Sequence, residues 1–422
     1  MAMQHDSENI ADFSWNLLAN FLSADALTKT LVIIQPFGTA FVRLLQMIVV
    51  PLMFSSLIVG AASISPAQLG KVATPILLIY IFSSCIAVGI GLAYGHLFKP
   101  MVDVSAMTDY ATRAAHAVRP ISQILLDIIP TNIVAALAAP NVLAIIFFSC
   151  FFGICLSIVK NSNDERFKSV GQTTFDFFDG MAEVMIKVTK GIMQYAPVGV
   201  FALLCFIFAR HGAAVAGPLV MVIITAYIGY LTHGLFYCAF IKFVGGVSVI
   251  KAWAYMKDPF ITGFVTRSSL ATLPVTMEAG KKMGIPKEVY SFAIPMGATI
   301  NMDGTAVYLG VASTFIAYSV WGRGFEGGEW VIVMLTATLA TIGTAGVPGA
   351  GVLMLMMVLT AVGLDPSALP MAAAAYAMIL GVDAFLDMGR TAFNVVGDLV
   401  YCTGVCRRMK ILDLTAWEAP KA

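Results

Sequence analysis

Charge is what this chain has least of. Asp, Glu, Lys and Arg make up 12% of its 422 residues, against roughly 25% in an ordinary soluble domain. The net charge of +1 gives no basis for binding nucleic acid or another polyanion. Histidine is scarce too: the five present are scattered and form no metal-ligand spacing. Seven cysteines occur, Cys85, Cys150, Cys155, Cys205, Cys238, Cys402 and Cys406. All but the last two sit in apolar runs, and Cys402 and Cys406 have no His or third Cys beside them, so they read as buried reduced thiols rather than a disulfide framework or zinc site. The first 25 residues hold Asp6, Glu8, Asp12 and Asp25 and no Lys or Arg, the reverse of a cleavable signal peptide's basic start.

What the chain does have is apolar sequence. Hydrophobic residues reach 59% and the mean hydropathy is +0.87. Many stretches exceed the ~20 apolar residues that span a bilayer. The expectation is an all-α multispanning membrane protein. Apolar segments run from about 31 to 63, 72 to 98, 124 to 159 (interrupted by Pro130 and Pro140), 173 to 209 and 214 to 244. Lys and Arg at the segment ends number 13 on one side, including Lys160, Lys251, Lys282 and Arg408, and 6 on the other. The positive-inside rule then puts the C-terminus in the cytoplasm.

From about residue 250 the pattern changes. Two segments break at small or kinking residues: Thr266-Arg267-Ser268-Ser269-Leu270-Ala271-Thr272-Leu273-Pro274, and Thr341 through Gly343-Thr344-Ala345-Gly346-Val347-Pro348-Gly349-Ala350-Gly351. Each half is too short to span, so re-entrant helical hairpins fit better than the alternative of two kinked helices. Irregular backbone at membrane depth is tolerated where it lines a watery cavity, and such interrupted segments point to a transporter's substrate site. Each is followed by a helix with a polar middle. In the second, Asp383, Asp387, Arg390 (or Thr391), Asn394 and Asp398 recur every three or four residues and form one stripe. Ionised side chains at mid-membrane cost at least ~2.5–3.5 kcal/mol on insertion scales and are functional by default. Excess carboxylate wants cations, and a guanidinium can grip a carboxylate through two hydrogen bonds. The bland reading is a buried salt-bridge network, which leaves the surplus carboxylates unexplained. In the first helix, Asn301-Met302-Asp303-Gly304-Thr305 offers oxygen ligands suited to hard cations. Gly304 weakens the helix by about 1 kcal/mol relative to Ala, so unwinding is expected there.

At these residues the chain resembles the glutamate transporter homologues, the dicarboxylate/amino acid:cation symporters. The matching pieces are Thr-Arg-Ser-Ser at 266–269, Asn-Met-Asp-Gly-Thr at 301–305, Gly-Thr-Ala-Gly-Val-Pro-Gly-Ala-Gly at 343–351 and Leu-Asp-Met-Gly-Arg-Thr…Asn…Gly-Asp at 386–398, in family order. The likeness covers about 30 to 405. It implies a prokaryotic sodium/aspartate-glutamate symporter with two re-entrant hairpins and inverted repeats, working as a homotrimer by an elevator mechanism in the cell inner (plasma) membrane. Its parts would be scaffold and trimerisation helices at 31–68 and 124–210, and a third family helix with an external loop at 69–123. A transport domain at 214–407 would hold the sixth helix, hairpin 1 (about 249–283), the seventh helix (about 287–320), hairpin 2 (about 327–362) and the eighth helix (about 366–407). A cytoplasmic tail at 408–422 would follow.

The resemblance also implies roles. Arg390 would bind the substrate's side-chain carboxylate beside Thr305, and Asp387 its ammonium. Asn394 and Ser269 would hold the α-carboxylate with backbone help from Arg267, Val347 and Gly351, Thr391 lying alongside and Asp383 orienting Arg390. One sodium would sit among Gly297, Asn301, Asn394 and Asp398. A second would sit among Thr299, Thr341, Ile342 and Thr344, and a third among Tyr80, Ser83, Ser84, Asn301 and Asp303. Asp387 argues for an amino acid over a C4-dicarboxylate, Arg390 for an acidic one, and Asp398 for sodium over protons.

Some features depart from the family. Residues 1–30 contain no clear first span, which reads as a missing or degenerate helix or an altered gene start. Leu270 stands where a serine is common, and Thr341 replaces a serine. Arg267 with Met388 is the prokaryotic arrangement, so potassium countertransport is not expected. The alternatives are a proton-coupled glutamate or C4-dicarboxylate symporter, or an anion channel. An enzyme is not expected, because the mid-membrane polar residues are read as including no histidine, catalytic Cys pair or metal cluster. No cofactor is expected beyond sodium as coupling ion.

Overall fold

Helices account for most of the described residues, and no strand occurs among them. A computed structural model describes residues 24–63, 72–102, 126, 129–138, 142–211, 215–342, 344 and 346–418. The expected lack of a first span at 1–30 falls, up to residue 23, outside them, as does most of the expected external loop.

The described helices are α1 (Ala24–Ala62), α2 (Ala73–Phe98), α3 (Ile133–Ala138), α4 (Val142–Lys160), α5 (Glu165–His211), α6 (Ala216–Phe243), α7 (Val249–Thr266), α8 (Ser269–Lys282), α9 (Lys287–Ile300), α10 (Asp303–Trp321), α11 (Gly328–Thr341), α12 (Ala350–Ala361), α13 (Pro370–Arg408) and α14 (Thr415–Glu418). Among the described residues, five spans are long and apolar enough to cross a membrane, and α5 makes a sixth if its two limbs count as one. α5 bends by 49° between Ile192 and Gln194. The cause is Pro197, which has no N–H to offer the carbonyl four residues back.

Both interrupted segments are paired short helices rather than kinked spans. In the first, α7 ends on Arg267 with φ 54°, a left-handed residue that turns the chain. Ser268 then caps α8 by accepting from the Ala271 N–H at 3.2 Å. In the second, α11 stops at Thr341 and α12 starts after Gly349, whose φ of 80° favours glycine. The two tips meet: the Gly346 carbonyl accepts from the Ser268 hydroxyl at 2.7 Å and the Leu270 N–H at 3.1 Å.

α10 is buried along almost its whole length. It crosses α2 glycine against glycine, because a Cβ on Gly310 would lie 2.7 Å from the Leu92 backbone nitrogen. Small residues at a crossing let membrane helices approach closely. α1 packs chiefly on α5 and α4, while α13 runs through the middle against α6, α7, α8, α9 and α10.

Candidate functional site

The helix preceding α10 unwinds, at a different place from the one the sequence suggested. The break is at Asn301 and Met302, and Gly304 lies inside α10. Gly304 is small for another reason: a Cβ there would run into the Arg390 carbonyl. Across the break the backbone bonds are Asn301 N–H to Gly297 and Ala306 N–H to Met302, both 2.8 Å. None reaches the carbonyls of Ala298, Thr299 or Ile300 among the described residues.

The polar stripe of α13 faces the interior. Asp383, Asp387, Arg390, Asn394 and Asp398 are all buried, none exposing more than 6% of its surface. Arg390 donates from Nε to Asp387 at 2.8 Å and from Nη1 to Asp383 at 2.9 Å. Its guanidinium lies 4.6 Å from the centre of the Tyr308 ring. Nη2 is buried and has no partner among the described residues. Asp387 also accepts from the Thr391 hydroxyl at 3.3 Å and from the Gly349 N–H of the second hairpin at 3.1 Å. Asn394 pairs with Thr305 twice, accepting from its N–H at 3.2 Å and donating to its hydroxyl at 3.1 Å.

Every residue expected around the substrate lines one cavity: Arg267, Ser269, Thr305, Val347, Gly351, Asp387, Arg390, Thr391 and Asn394. Met302, Thr344, Gly346 and Ala350 complete the wall. The free space is about 10 Å³, room for about one water. Gly351 sits directly on the guanidinium.

The expected cation groups assemble unevenly. In the first, Asn301 donates to Asp398 at 2.9 Å, and Gly297 packs so tightly on Asp398 that a Cβ would collide with its carboxylate. Asn394 turns instead to Thr305. Asp398 accepts no other hydrogen bond among the described residues, and the Asn301 Oδ1 is buried without a donor. In the second, the hydroxyls of Thr299, Thr341 and Thr344 donate to carbonyls of their own segments, Met296, Thr338 and Ala340. No hydrogen bond among the described residues joins Thr299 to the second hairpin. In the third, the Ser83 and Ser84 hydroxyls reach Asp303 at 2.5 and 3.1 Å. Tyr80 donates to the Ala293 carbonyl at 3.3 Å instead.

One expectation fails at Asp303. A histidine does lie at mid-membrane: His233 of α6 is 1% exposed and its Nε2 is 3.0 Å from Asp303. Tyr237 and Tyr401 reach the same oxygen at 3.0 and 2.9 Å. Averaged hydropathy hid them, since one histidine barely dents an apolar window. The available signal was spacing: Tyr230, His233 and Tyr237 share one face of α6.

A family model described as the sodium:dicarboxylate symporter family matches residues 16–408. A proton/glutamate-aspartate symporter of Escherichia coli (strain K12) is 32% identical over 397 residues, 92% of this chain and 85% of that protein. A proton/sodium-glutamate symport protein of Bacillus caldotenax is 32% identical over 381 residues, 88% and 86% of the two chains. C4-dicarboxylate transport protein 1 of Mesorhizobium japonicum is 32% identical over 399 residues, 92% and 80% of the two.

Proposed function

Because this chain belongs to the sodium:dicarboxylate symporter family, we propose that it is a secondary transporter carrying aspartate or glutamate into the cell together with sodium. One observation carries the reading: the buried Nη2 of Arg390 has no partner among the described residues and belongs to a side chain lining a cavity. A buried donor left unmade costs about 1–3 kcal/mol, more for a charged group. A substrate carboxylate supplies what it lacks. Asp387 supports an amino acid in particular: the three hydrogen bonds it accepts, from Arg390, Thr391 and Gly349, leave it capacity for an ammonium.

Sodium is supported by the opposite shortage. Asp398 and Asn301 hold oxygen lone pairs that no donor among the described residues fills, and hard cations take oxygen ligands. Gly297 and Asn394 complete this first group. Thr299, Thr341, Ile342 and Thr344 make the second, since hydroxyls that donate to their own helices keep their lone pairs. The finer family traits, a homotrimer, an elevator movement of the hairpins with α9, α10 and α13, and a cytoplasmic C-terminus, are part of the same proposal.

The test is uptake of labelled aspartate by proteoliposomes, with external sodium replaced by potassium or choline at fixed pH. Uptake is expected to vanish with sodium, and persistence would remove sodium as the coupling ion. Arg390→Cys is expected to abolish acidic-substrate uptake; undiminished transport would take that residue out of the site.

A further inference from the structure

Two buried carboxylates flank the break between α9 and α10, and their surroundings are opposite. Among the described residues Asp398 receives one hydrogen bond, from Asn301. Asp303 has five polar neighbours within reach, and because the Ser83 and Tyr401 hydroxyls also meet each other, one of those two donates to the other rather than to the carboxylate. Ser83, His233, Tyr237 and Tyr401 converge on Oδ2 at 2.5, 3.0, 3.0 and 2.9 Å, and Ser84 reaches Oδ1 at 3.1 Å. An ionised carboxylate offers about four lone-pair sites, two on each oxygen. Groups from α2, α6 and α13 therefore fill Oδ2, while Oδ1 takes only Ser84.

The donor that does not belong with a sodium ion is the imidazole. A hydroxyl can donate to the carboxylate and still offer oxygen to a cation. The Nε2–H of His233 offers nothing, and imidazole nitrogen favours transition metals over hard ions. The tautomer follows from the network. The Nδ1 of His233 is buried with no partner among the described residues. A hydrogen there would be a buried donor without an acceptor, so the hydrogen sits on Nε2 and points at Asp303. His233 and Asp303 expose 1% and 0% of their surface.

We propose that His233 sets the ion stoichiometry of this carrier: its Nε2–H occupies the place at Asp303 that a third sodium would need, leaving two sodium ions per substrate. Asp303 then serves as a hydrogen-bonded lock holding α6, α2 and α13 to the start of α10. The inference rests on the sodium-coupled reading above.

The experiment measures coupled flux of labelled aspartate through the full-length protein in proteoliposomes. Membrane potential is stepped at several sodium gradients, and the zero-flux condition gives the ion ratio. The wild type is expected to give two sodium ions per aspartate; a ratio of three overturns this proposal and leaves the sodium reading intact. Flux indifferent to sodium overturns both. His233→Leu removes the donor and is expected to raise the ratio to three; an active variant that stays at two overturns the role given to His233. Should that variant fail to fold, His233→Gln keeps an N–H at the same reach and is expected to hold the ratio at two, and a ratio of three there defeats the proposal.

Discussion

At the scale of single residues, the site is organised by what cannot be larger. Gly351 opens the second hairpin's inner helix against the flat of Arg390, and a Cβ there would stand 2.6 Å from both Cζ and Nη1. Asp383 and Asp387 hold the same guanidinium, so it cannot retreat without breaking buried pairs. Overpacking of this kind costs typically about 1–3 kcal/mol. Gly351→Ala is therefore expected to raise the KM for aspartate by roughly 10- to 100-fold at saturating sodium, a tenfold change being 1.4 kcal/mol. Concentration-dependent uptake measures it, and an unchanged KM would mean that Arg390 is not held where substrate binds.

Elements show how far the sequence could be read. The stripe on α13 was legible because five polar residues at helical spacing in an apolar chain have one geometric consequence. The hairpins were legible because Arg267-Ser268 and Gly346 through Gly349 interrupt halves too short to span. The unwound point before α10 was misplaced because a glycine has two uses. Gly304 reads as a weak point in a helix, whereas in three dimensions it is a contact point for the Arg390 backbone. The cluster at Asp303 was only half legible. Asp303 was read from its own oxygen-rich motif and Ser83 and Ser84 came from the family likeness, but His233, Tyr237 and Tyr401 come from α6 and α13, and only folding brings them together.

Close crossing of α2 and α10 carries a prediction of its own. A Cβ at Gly310 meets the Leu92 nitrogen at 2.7 Å and the Val88 carbonyl oxygen at 2.8 Å. These are backbone atoms of a helix and cannot swing aside. Gly310→Val is expected to force the helices apart and destabilise the protein by about 3 kcal/mol, seen as a lower Tm in detergent. The same substitution at Gly322, where φ is 69° but nothing lies within 4 Å, strains only the turn and is expected to cost about 1–2 kcal/mol.

For the molecule as a whole, the ion ratio decides what the transporter can achieve. With two sodium ions and one mono-anionic amino acid, one net positive charge enters per cycle. At ~100 mV that contributes ~2.3 kcal/mol, and a tenfold sodium gradient adds ~1.4 kcal/mol per ion. The total of ~5 kcal/mol supports accumulation of several thousandfold, where three ions would reach about a millionfold. Such a carrier suits a setting where substrate is scavenged at moderate dilution. The ratio also fixes the response to voltage. Collapsing a potential of ~100 mV at constant sodium gradient is expected to lower steady-state aspartate accumulation by about 50-fold if one net charge moves, and by about 2,000-fold if two do. Proteoliposomes with a clamped potassium diffusion potential separate these outcomes without reference to any single residue. A loss near the larger figure would mean that the oxygens around Asp303 yield to a third ion despite His233.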